Sequence, residues 1–456
     1  MRIHLLIPEV RELLHEGNEG DLQSVLQEMH PTDAAAILSA LQPDEIAKAL
    51  ALLPLDLERD VFGYLEPEVQ ELFIQGAGRA HAIKVLNSML SDDRAAFLER
   101  LDPRVRDQLI PLLPNAARED LLRRTTFEPE QVGAFLTTDY AVLNPLLTAR
   151  AAIAELRRQA PSKETIYYSY VLDRSGKLLG FVSLRDLILA NEATPVGELM
   201  KTDLVSVYPD SDQEDAARII RDYDLIALPV IDTGGHLVGI VTHDDAVDIV
   251  EEEAQEDFEL MAGVTGASEG DDFLAEPVLR QLRRRAPVIC LLALFWLLTA
   301  TVIQGFEGLL RGNILLMATM PMVMAIGGMV GSQASTLVIR ALATQEHGSF
   351  RAMVTKELFV GLLLAGVLGG VAFGNALLLQ AIKGEGIALD ETAWYAAVIA
   401  IAMAADVVFA ALLGASIPNL VRVLRIDPAL ISTPAVTAMT DLTGAAIFLA
   451  LVTMLL

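Results

Sequence analysis

Two aspartates, Asp406 and Asp441, fall inside long apolar runs. A carboxylate in hydrocarbon is disfavoured by about 2.5 to 3.5 kcal/mol on insertion scales unless it faces a cavity or a partner, so each is a candidate for handling cations. Around Asp441 the phrase STPAVTAMTDLTG puts Thr433, Thr437, Asp441 and Gly444 on one helical face, at i−8, i−4, i and i+3. Pro434 has no N–H for the Leu430 carbonyl, which frees that oxygen to coordinate. Asp406 has no such stripe, and a buried structural hydrogen bond explains it equally well. A third group lies outside the apolar runs: Asp244, Asp245, Asp248, Glu251, Glu252, Glu253, Glu256, Asp257 and Glu259 crowd into sixteen positions. On a helix, Asp248, Glu251, Glu252, Glu256 and Glu259 share one face with Gln255, which repels itself unless cations cover it; a solvated surface is the alternative.

The elements that must hold these acids differ sharply along the chain. Nine acids and eleven bases follow Pro277, leaving 52 acids and 23 bases before it, so an acidic half precedes an apolar, nearly neutral one. The negative half repels phosphate and anionic lipid heads, which argues for metal ions and against nucleic acid as partners. Met1 to His15 has no long apolar core, so no signal peptide is expected, and the lone Cys290 excludes a disulfide framework. Five apolar stretches, 286 to 304, 314 to 342, 357 to 382, 393 to 417 and 429 to 456, each reach or exceed the roughly 20 residues that span a bilayer. Nine of the eleven bases, including Arg280, Arg283, Arg284, Arg285, Arg340, Arg351, Lys356, Arg422 and Arg425, fall on one side, with Arg311 and Lys383 on the other. The positive-inside bias therefore predicts a multi-pass protein of the cytoplasmic (inner) membrane, N-terminus cytoplasmic and Leu456 extracytoplasmic. In the second stretch Pro321 predicts a kink, and Gly327, Gly328, Gly331, Ser332 and Ser335 allow another backbone close.

Ahead of these stretches lie two kinds of repeat. From Asp21 to Arg124 a short phrase recurs (HPTD, QPDE, LPLD, EPEV, LDPR, LPNA), each opening a run such as AAAILSAL. Proline suits a helix's first turn and an acid its positive end, so the phrases predict short helices stacked as a superhelical array. Residues 132 to 250 contain a different duplication, VGAFLTTD against VGELMKTD and LDRSGKLLGFVSLRDLI against IDTGGHLVGIVTHDDAV, with five extra residues in copy one around Pro161 to Glu164. Strands flanking a turn at Gly176 or Gly235 and leading into a helix predict an α/β module made twice. The pattern resembles a tandem CBS-domain pair. That resemblance implies a nucleotide cleft at Tyr168, Tyr170, Ser183, Arg185 and Asp186, with ATP as a possible ligand; first-turn acids have the simpler explanation of helix polarity.

Together with GGMVGSQ (327 to 333) and DPALISTPAVTAMTD (427 to 441), the order of parts resembles the MgtE family of magnesium channels over essentially the whole chain. The fold class so implied is multidomain: an all-α helical repeat N-domain (1–130), an α/β tandem CBS pair (131–195 and 196–250), an acidic connecting, plug-like helix (251–279) and an all-α transmembrane domain of five helices (280–456). The resemblance implies a homodimer in membrane lipid with Asp441 of each subunit, beside the Thr437 carbonyl, holding a largely hydrated Mg2+. It also implies a sensor in which Mg2+ lies among Asp92, Asp93, Asp244, Asp245, Asp248, Glu251, Glu252, Glu256, Asp257 and Glu259. Met329, Ser332 and Thr433 stand where the family commonly has asparagine, so a softer lining that admits Mn2+, Co2+ or Ni2+ is an alternative. Asp406 is a carboxylate that could compensate. Other readings are a CBS membrane sensor without transport and an intramembrane aspartyl protease; the latter lacks a glycine-x-glycine-aspartate signature. No phosphate loop or nucleophile elbow is present, so the chain is not expected to be an enzyme.

Overall fold

Every proline phrase sits at the start of a helix in the computed structural model, which describes residues 6–76, 78–266, 276–343, 349–383, 389–424 and 433–456. Pro31, Pro43, Pro67 and Pro103 are first residues, and Pro54 and Pro114 immediately precede their helices. The fixed proline φ presets the first turn, where a missing N–H costs nothing. The result is α1 (Ile7–Glu16), α2 (Glu19–Gln27), α3 (Pro31–Leu38), α4 (Pro43–Ala51), α5 (Leu55–Gly63), α6 (Pro67–Gly76), α7 (Arg79–Ser88), α8 (Ser91–Arg100), α9 (Pro103–Leu109) and α10 (Asn115–Arg124). Each of α3, α4 and α5 packs on the helix two further along. Helices of two or three turns bury too little alone, so Leu22, Ile37, Leu50, Phe62, Val85 and Leu98 form one continuous core.

The duplication follows as α11 (Val132–Phe135), β1 (Tyr140–Leu143), α12 (Ala149–Gln159), β2 (Thr165–Leu172), β3 (Leu178–Ser183) and α13 (Leu184–Leu189), then α14 (Val196–Leu199), α15 (Gln213–Asp222), β4 (Ala227–Ile231), β5 (Leu237–Thr242) and α16 (His243–Met261). In copy one β1 runs parallel to β2, which pairs antiparallel with β3. In copy two β4 and β5 form the hairpin, and a Val207–Val230 bridge stands in for the parallel strand. Gly176 and Gly235 turn the hairpins with φ of 88° and 82°, a region side chains avoid. The two TD phrases exchange partners: Thr137 bridges to Ile240 of copy two, and Lys201 to Phe181 of copy one. Each copy thus completes the other's sheet.

Met1–Val250 and Glu251–Leu456 are separate compact units. Helix α16 runs without a break from the end of the second module into the acidic segment. The second unit contains α17 (Val278–Gly305), the short α18 (Glu307–Gly312), α19 (Ile314–Ala343), α20 (Phe350–Lys383), α21 (Leu389–Val423) and α22 (Thr433–Leu455). Five of these, α17 and α19 to α22, are long and apolar enough to cross a membrane. Helix α19 lies against α21 and α22, α20 along α21, and α17 against α22. Pro321 lies inside α19, which continues through it. Residues 267–275 of the connecting segment, Arg425, the Leu430 carbonyl and the first residues of the fifth span (429–432) lie outside the described residues.

Close approach in the membrane unit depends on glycine, as the second stretch suggested. The place a Cβ would take at Gly414 is occupied by the Gly331 carbonyl, and a Cβ at Gly331 would stand 2.7 Å from Thr440 Cγ2 and 3.3 Å from the Ala410 carbonyl. Backbone cannot step aside as a side chain can. Gly414→Ala is therefore expected to destabilise the fold by about 1–3 kcal/mol through overpacking, despite the roughly 1 kcal/mol that alanine gains in helix propensity. Thermal unfolding in detergent checks this; an unchanged or higher midpoint contradicts the packing described.

Candidate metal sites

The in-span site is built on the double glycine of α19. A Cβ at Gly328 would lie 3.0 Å from Thr437 Cγ2, 3.5 Å from Asp441 Oδ1 and 3.8 Å from Thr440 Oγ1. Next to it, a Cβ at Gly327 would collide with Asp406 Oδ2, and one at Gly444 would stand 2.7 Å from Asp406 Oδ1. Neighbouring glycines thus clear space for two carboxylates, Asp441 from α22 and Asp406 from α21. Asp441 is half-buried, whereas Asp406 is 0% exposed and neither of its oxygens has a hydrogen-bond partner. The Thr437 hydroxyl donates to the Thr433 carbonyl at 3.0 Å and lies 3.4 Å from Ser332 Oγ. The Thr437 carbonyl accepts from Thr440 Oγ1 at 2.9 Å in addition to its backbone bond within α22, so both of its lone pairs are engaged. Met329 and Gln333 are exposed on this chain's surface.

A second gathering of acids lies in the first unit. Helices α8 and α16 begin with Asp92–Asp93 and Asp244–Asp245, four acids in first turns, where helix polarity favours them. The start of α8 is anchored on the TTD phrase: Ser91 N–H donates to Asp139 Oδ2 at 2.9 Å, and Thr138 N–H to Ser91 Oγ at 3.0 Å. Arg124, buried and paired with Asp120 at 3.2 Å, donates to the same hydroxyl at 3.3 Å. At α16 the Thr242 hydroxyl donates to Asp245 Oδ2 at 2.6 Å. Glu164 joins these four, held by its N–H donating to the Asp139 carbonyl at 2.8 Å.

Crowding shows in the titration of the group. Burial, then the charges of Asp245 and Asp93, pushes Asp92 from its ordinary 3.8 up to about 7. Burial, followed by Asp92, Asp245, Asp244 and Asp93, pushes Glu164 from 4.5 up to about 8. Asp93 is raised by partial enclosure of its carboxyl and then by Asp244, and Asp245 by burial against the lowering hydrogen bond from Thr242. Asp92 Oδ1 and Glu164 Oε2 are buried without partners. Among the described residues no three His, Cys, Asp or Glu side chains are arranged to hold one metal ion as they stand. The group is a concentration of negative charge rather than a finished coordination shell. Asp248, Glu251, Glu252, Glu256, Asp257 and Glu259 continue along α16, and Glu259 pairs with Arg284, which also meets Glu276 at 3.1 Å.

The nucleotide candidates are only partly brought together. Tyr168 pairs with Ser183 across β2 and β3 and meets Phe181 edge-on at 5.1 Å. Lys201 lies 5.8 Å over the Phe181 ring and 3.4 Å from Asp186. Ser183 accepts from the Asp186 N–H at 3.0 Å, and Arg185 is exposed. The Ser183 hydrogen bond, with Lys201 assisting against a rise from burial, holds Asp186 below its ordinary range. Tyr170 instead sits in the core, 1% exposed, packed on Tyr140 at 6.0 Å, so its ring offers no face to a ligand. Phe181 and Lys201 were missed because the exchanged bridge joins residues of different copies. Glu164 was missed as well, although it lies where the five extra residues of copy one were expected.

Comparison with known proteins gives the same division of parts. The MgtE divalent cation transporter model matches residues 320–451, the MgtE intracellular N domain 29–130, and the CBS domain 132–192 and 196–252. The magnesium transporter MgtE of Thermus thermophilus is 36% identical over 99% of this chain and 98% of its own. The chain belongs to the MgtE family. The Bacillus subtilis magnesium transporter MgtE is 30% identical over 98% of this chain and 97% of its own. A crystal structure of the cytosolic domain of the Mg2+ channel MgtE in complex with ATP covers 54% of this chain and all of its own, with 37% identity and a TM-score of 0.50. A crystal structure of the soluble part of a magnesium transporter covers 55% of this chain and 99% of its own, with 29% identity and a TM-score of 0.53. A five-span family member of this kind is an integral membrane protein.

Carboxyls held above their unfolded values favour the fold while protonated. That advantage is fully present below about pH 4 and is lost as pH rises through about 7 for Asp92 and about 8 for Glu164. The full chain in detergent with chelator is therefore expected to lose thermal stability between pH 5 and pH 8. Mg2+ should restore more at pH 8 than at pH 5. Asp92→Asn with Glu164→Gln should flatten the dependence and raise the pH 8 midpoint by about 2–4 °C per kcal/mol of repulsion removed. A profile identical to the parent's counts against the crowded group.

Proposed function

We propose that the chain is a divalent-cation channel or transporter of the cytoplasmic membrane that carries Mg2+ past Asp441 and is gated by Mg2+ at the acidic group on its cytoplasmic side. What carries this reading is the in-span carboxylate Asp441, seated at the double glycine of α19 with Thr437 one turn away. Mg2+ gives up its waters reluctantly and is bound by one or two carboxylates plus water, so a sparse oxygen site suits it better than a closed cage. The named relatives, magnesium transporters over nearly their whole length, support the same ion. The positive-inside count supports a cytoplasmic N-terminus and an extracytoplasmic Leu456. A homodimer with its pore between subunits accords with the exposed Met329 and Gln333 on α19, a face this chain's own helices leave uncovered.

Gating follows from the charge concentrated at α8 and α16. Asp92, Asp93, Glu164, Asp244 and Asp245 repel one another, and cations that bind among them favour the state in which the two helix starts stay together. Loss of the cations favours their separation, a population shift set by the difference in ion affinity between the two states. Asp248, Glu251, Glu252, Glu256, Asp257 and Glu259 extend the same charge along α16. In liposomes loaded with an ion-sensitive dye, Asp441→Asn should reduce Mg2+ influx to background, and Asp92→Asn with Asp245→Asn should keep influx high at internal Mg2+ that silences the parent. Influx through Asp441→Asn at the parent's rate would remove the pore assignment. Met329 beside the site favours some passage of Mn2+, Co2+ and Ni2+, since a thioether is softer than an amide oxygen.

ATP is a second ligand of this reading, supported by the relative's ATP-bound cytosolic domain and by Tyr168, Phe181, Ser183, Asp186 and Lys201 along one edge. Calorimetric titration of the full chain with ATP should show saturable binding, weakened about tenfold by Asp186→Asn, the scale of one lost charge-assisted hydrogen bond. Equal affinity in the variant places the nucleotide elsewhere.

A further inference from the structure

Asp406 is the most deeply enclosed acid among the described residues, 0% exposed in the middle of α21, and neither Oδ1 nor Oδ2 has a hydrogen-bond partner. A buried carboxylate normally has a basic partner or donors, because desolvating it alone is costly. Arg284 and Arg311 pair elsewhere, with Glu259 and Glu276 and with Glu307, outside the buried part of the spans. The surroundings of Asp406 are nevertheless shaped to it. Gly327 on α19 and Gly444 on α22 are the two positions where a Cβ would strike its oxygens. Glycine in a helix interior costs roughly 1 kcal/mol relative to alanine, so two such positions around one side chain reflect a fitted seat rather than loose packing.

The seat adjoins Asp441. Gly327 and Gly328 are consecutive, the first clearing Asp406 and the second lying against Asp441, while Gly444 is three residues beyond Asp441 on the same helix. The two carboxylates lie within electrostatic range of each other. Two acids of like charge with no base between them attract a cation more strongly than either alone, and a dication most of all. We infer that Asp406 is the second carboxylate of the in-span site, acting with Asp441 on one divalent cation and setting which ions are retained there. Asp441, half-buried, meets the ion first; Asp406, enclosed between Gly327 and Gly444, contributes negative charge from a fixed position. A carboxylate whose seat is fixed by backbone discriminates ions by size and dehydration more sharply than one free to follow them.

This inference rests on the pore reading of Asp441, and the test separates the two. Full-length parent, Asp406→Asn, Asp406→Leu and Asp441→Asn are compared in liposome influx of Mg2+, Mn2+, Co2+ and Ni2+, and in detergent for the rise of thermal midpoint with Mg2+. Asparagine matches the acid in shape without its charge, and leucine fills the volume with apolar atoms. Both Asp406 variants should fold with a midpoint no lower than the parent's in chelator, since an uncompensated buried charge is gone. Each should show an apparent Mg2+ affinity about 10- to 100-fold weaker, the usual scale for a group that supports a metal site, with an altered order among the four ions. Parent-like affinity and ion order in both variants, with Asp441→Asn inactive, overturns the role of Asp406 and leaves the pore reading standing. Parent-like influx through Asp441→Asn overturns both. Should Asp406→Asn fail to fold, Asp406→Leu decides by the same readings.

Discussion

Carboxylates gathered without matching positive charge are the constraint around which this protein is arranged. It recurs in both units: Asp92, Asp93, Glu164, Asp244 and Asp245 in the first, Asp406 and Asp441 in the second. Such groups oppose the packing that brings them together, and they persist because surrounding interactions hold their backbones in place. In the first unit the holding interactions are the buried Arg124–Asp120 pair, the Ser91 network on the TTD phrase and the Thr242–Asp245 hydrogen bond. In the second they are glycine contacts among α19, α21 and α22. Under the proposed function this combination has a use, because a site for a strongly hydrated dication must attract the ion without collapsing onto it.

The duplicated modules explain how the first unit brings distant residues together. Exchange of the TD phrases puts Thr137 on the sheet of copy two and Lys201 on the sheet of copy one. The first exchange carries Ser91 and the start of α8 toward the start of α16, because Ser91 is bonded to the residues on either side of Thr138 as well as to Thr138 itself. The second places a cation beside Asp186. Near-identical phrases in the two copies therefore end in different surroundings: one edge is acidic, and the other carries both signs of charge. Glu164, in the region of copy one where the extra residues fall, adds to the acidic edge.

Much of the architecture was legible from local signals. The proline phrases mark helix starts because a proline and an adjacent acid suit only the first turn. Alternation around Gly176 and Gly235 marks the hairpins, and hydropathy marks the five spans. Asp441 stood out because a charge among apolar residues needs a reason. Asp406 carried the same signal but no stripe, since its partners in space, Gly327 and Gly444, belong to other helices and have no side chain to form a pattern. Tyr170 shows the opposite limit. Its position in the motif suggested a ligand contact, and burial against Tyr140 gives it a place in the core instead.

The sequence by itself determined which segments are helix, strand or span, where charge is concentrated, and which acids sit in hydrocarbon, because each of these depends on neighbours within a turn or two. Tertiary structure alone decided which acids meet. Convergence of two helix starts on Glu164, and of two spans on a double glycine, depends on contacts between residues tens to hundreds of positions apart. No local periodicity encodes such contacts, and among them the absent side chains of Gly327, Gly328 and Gly444 matter as much as the charged ones they admit.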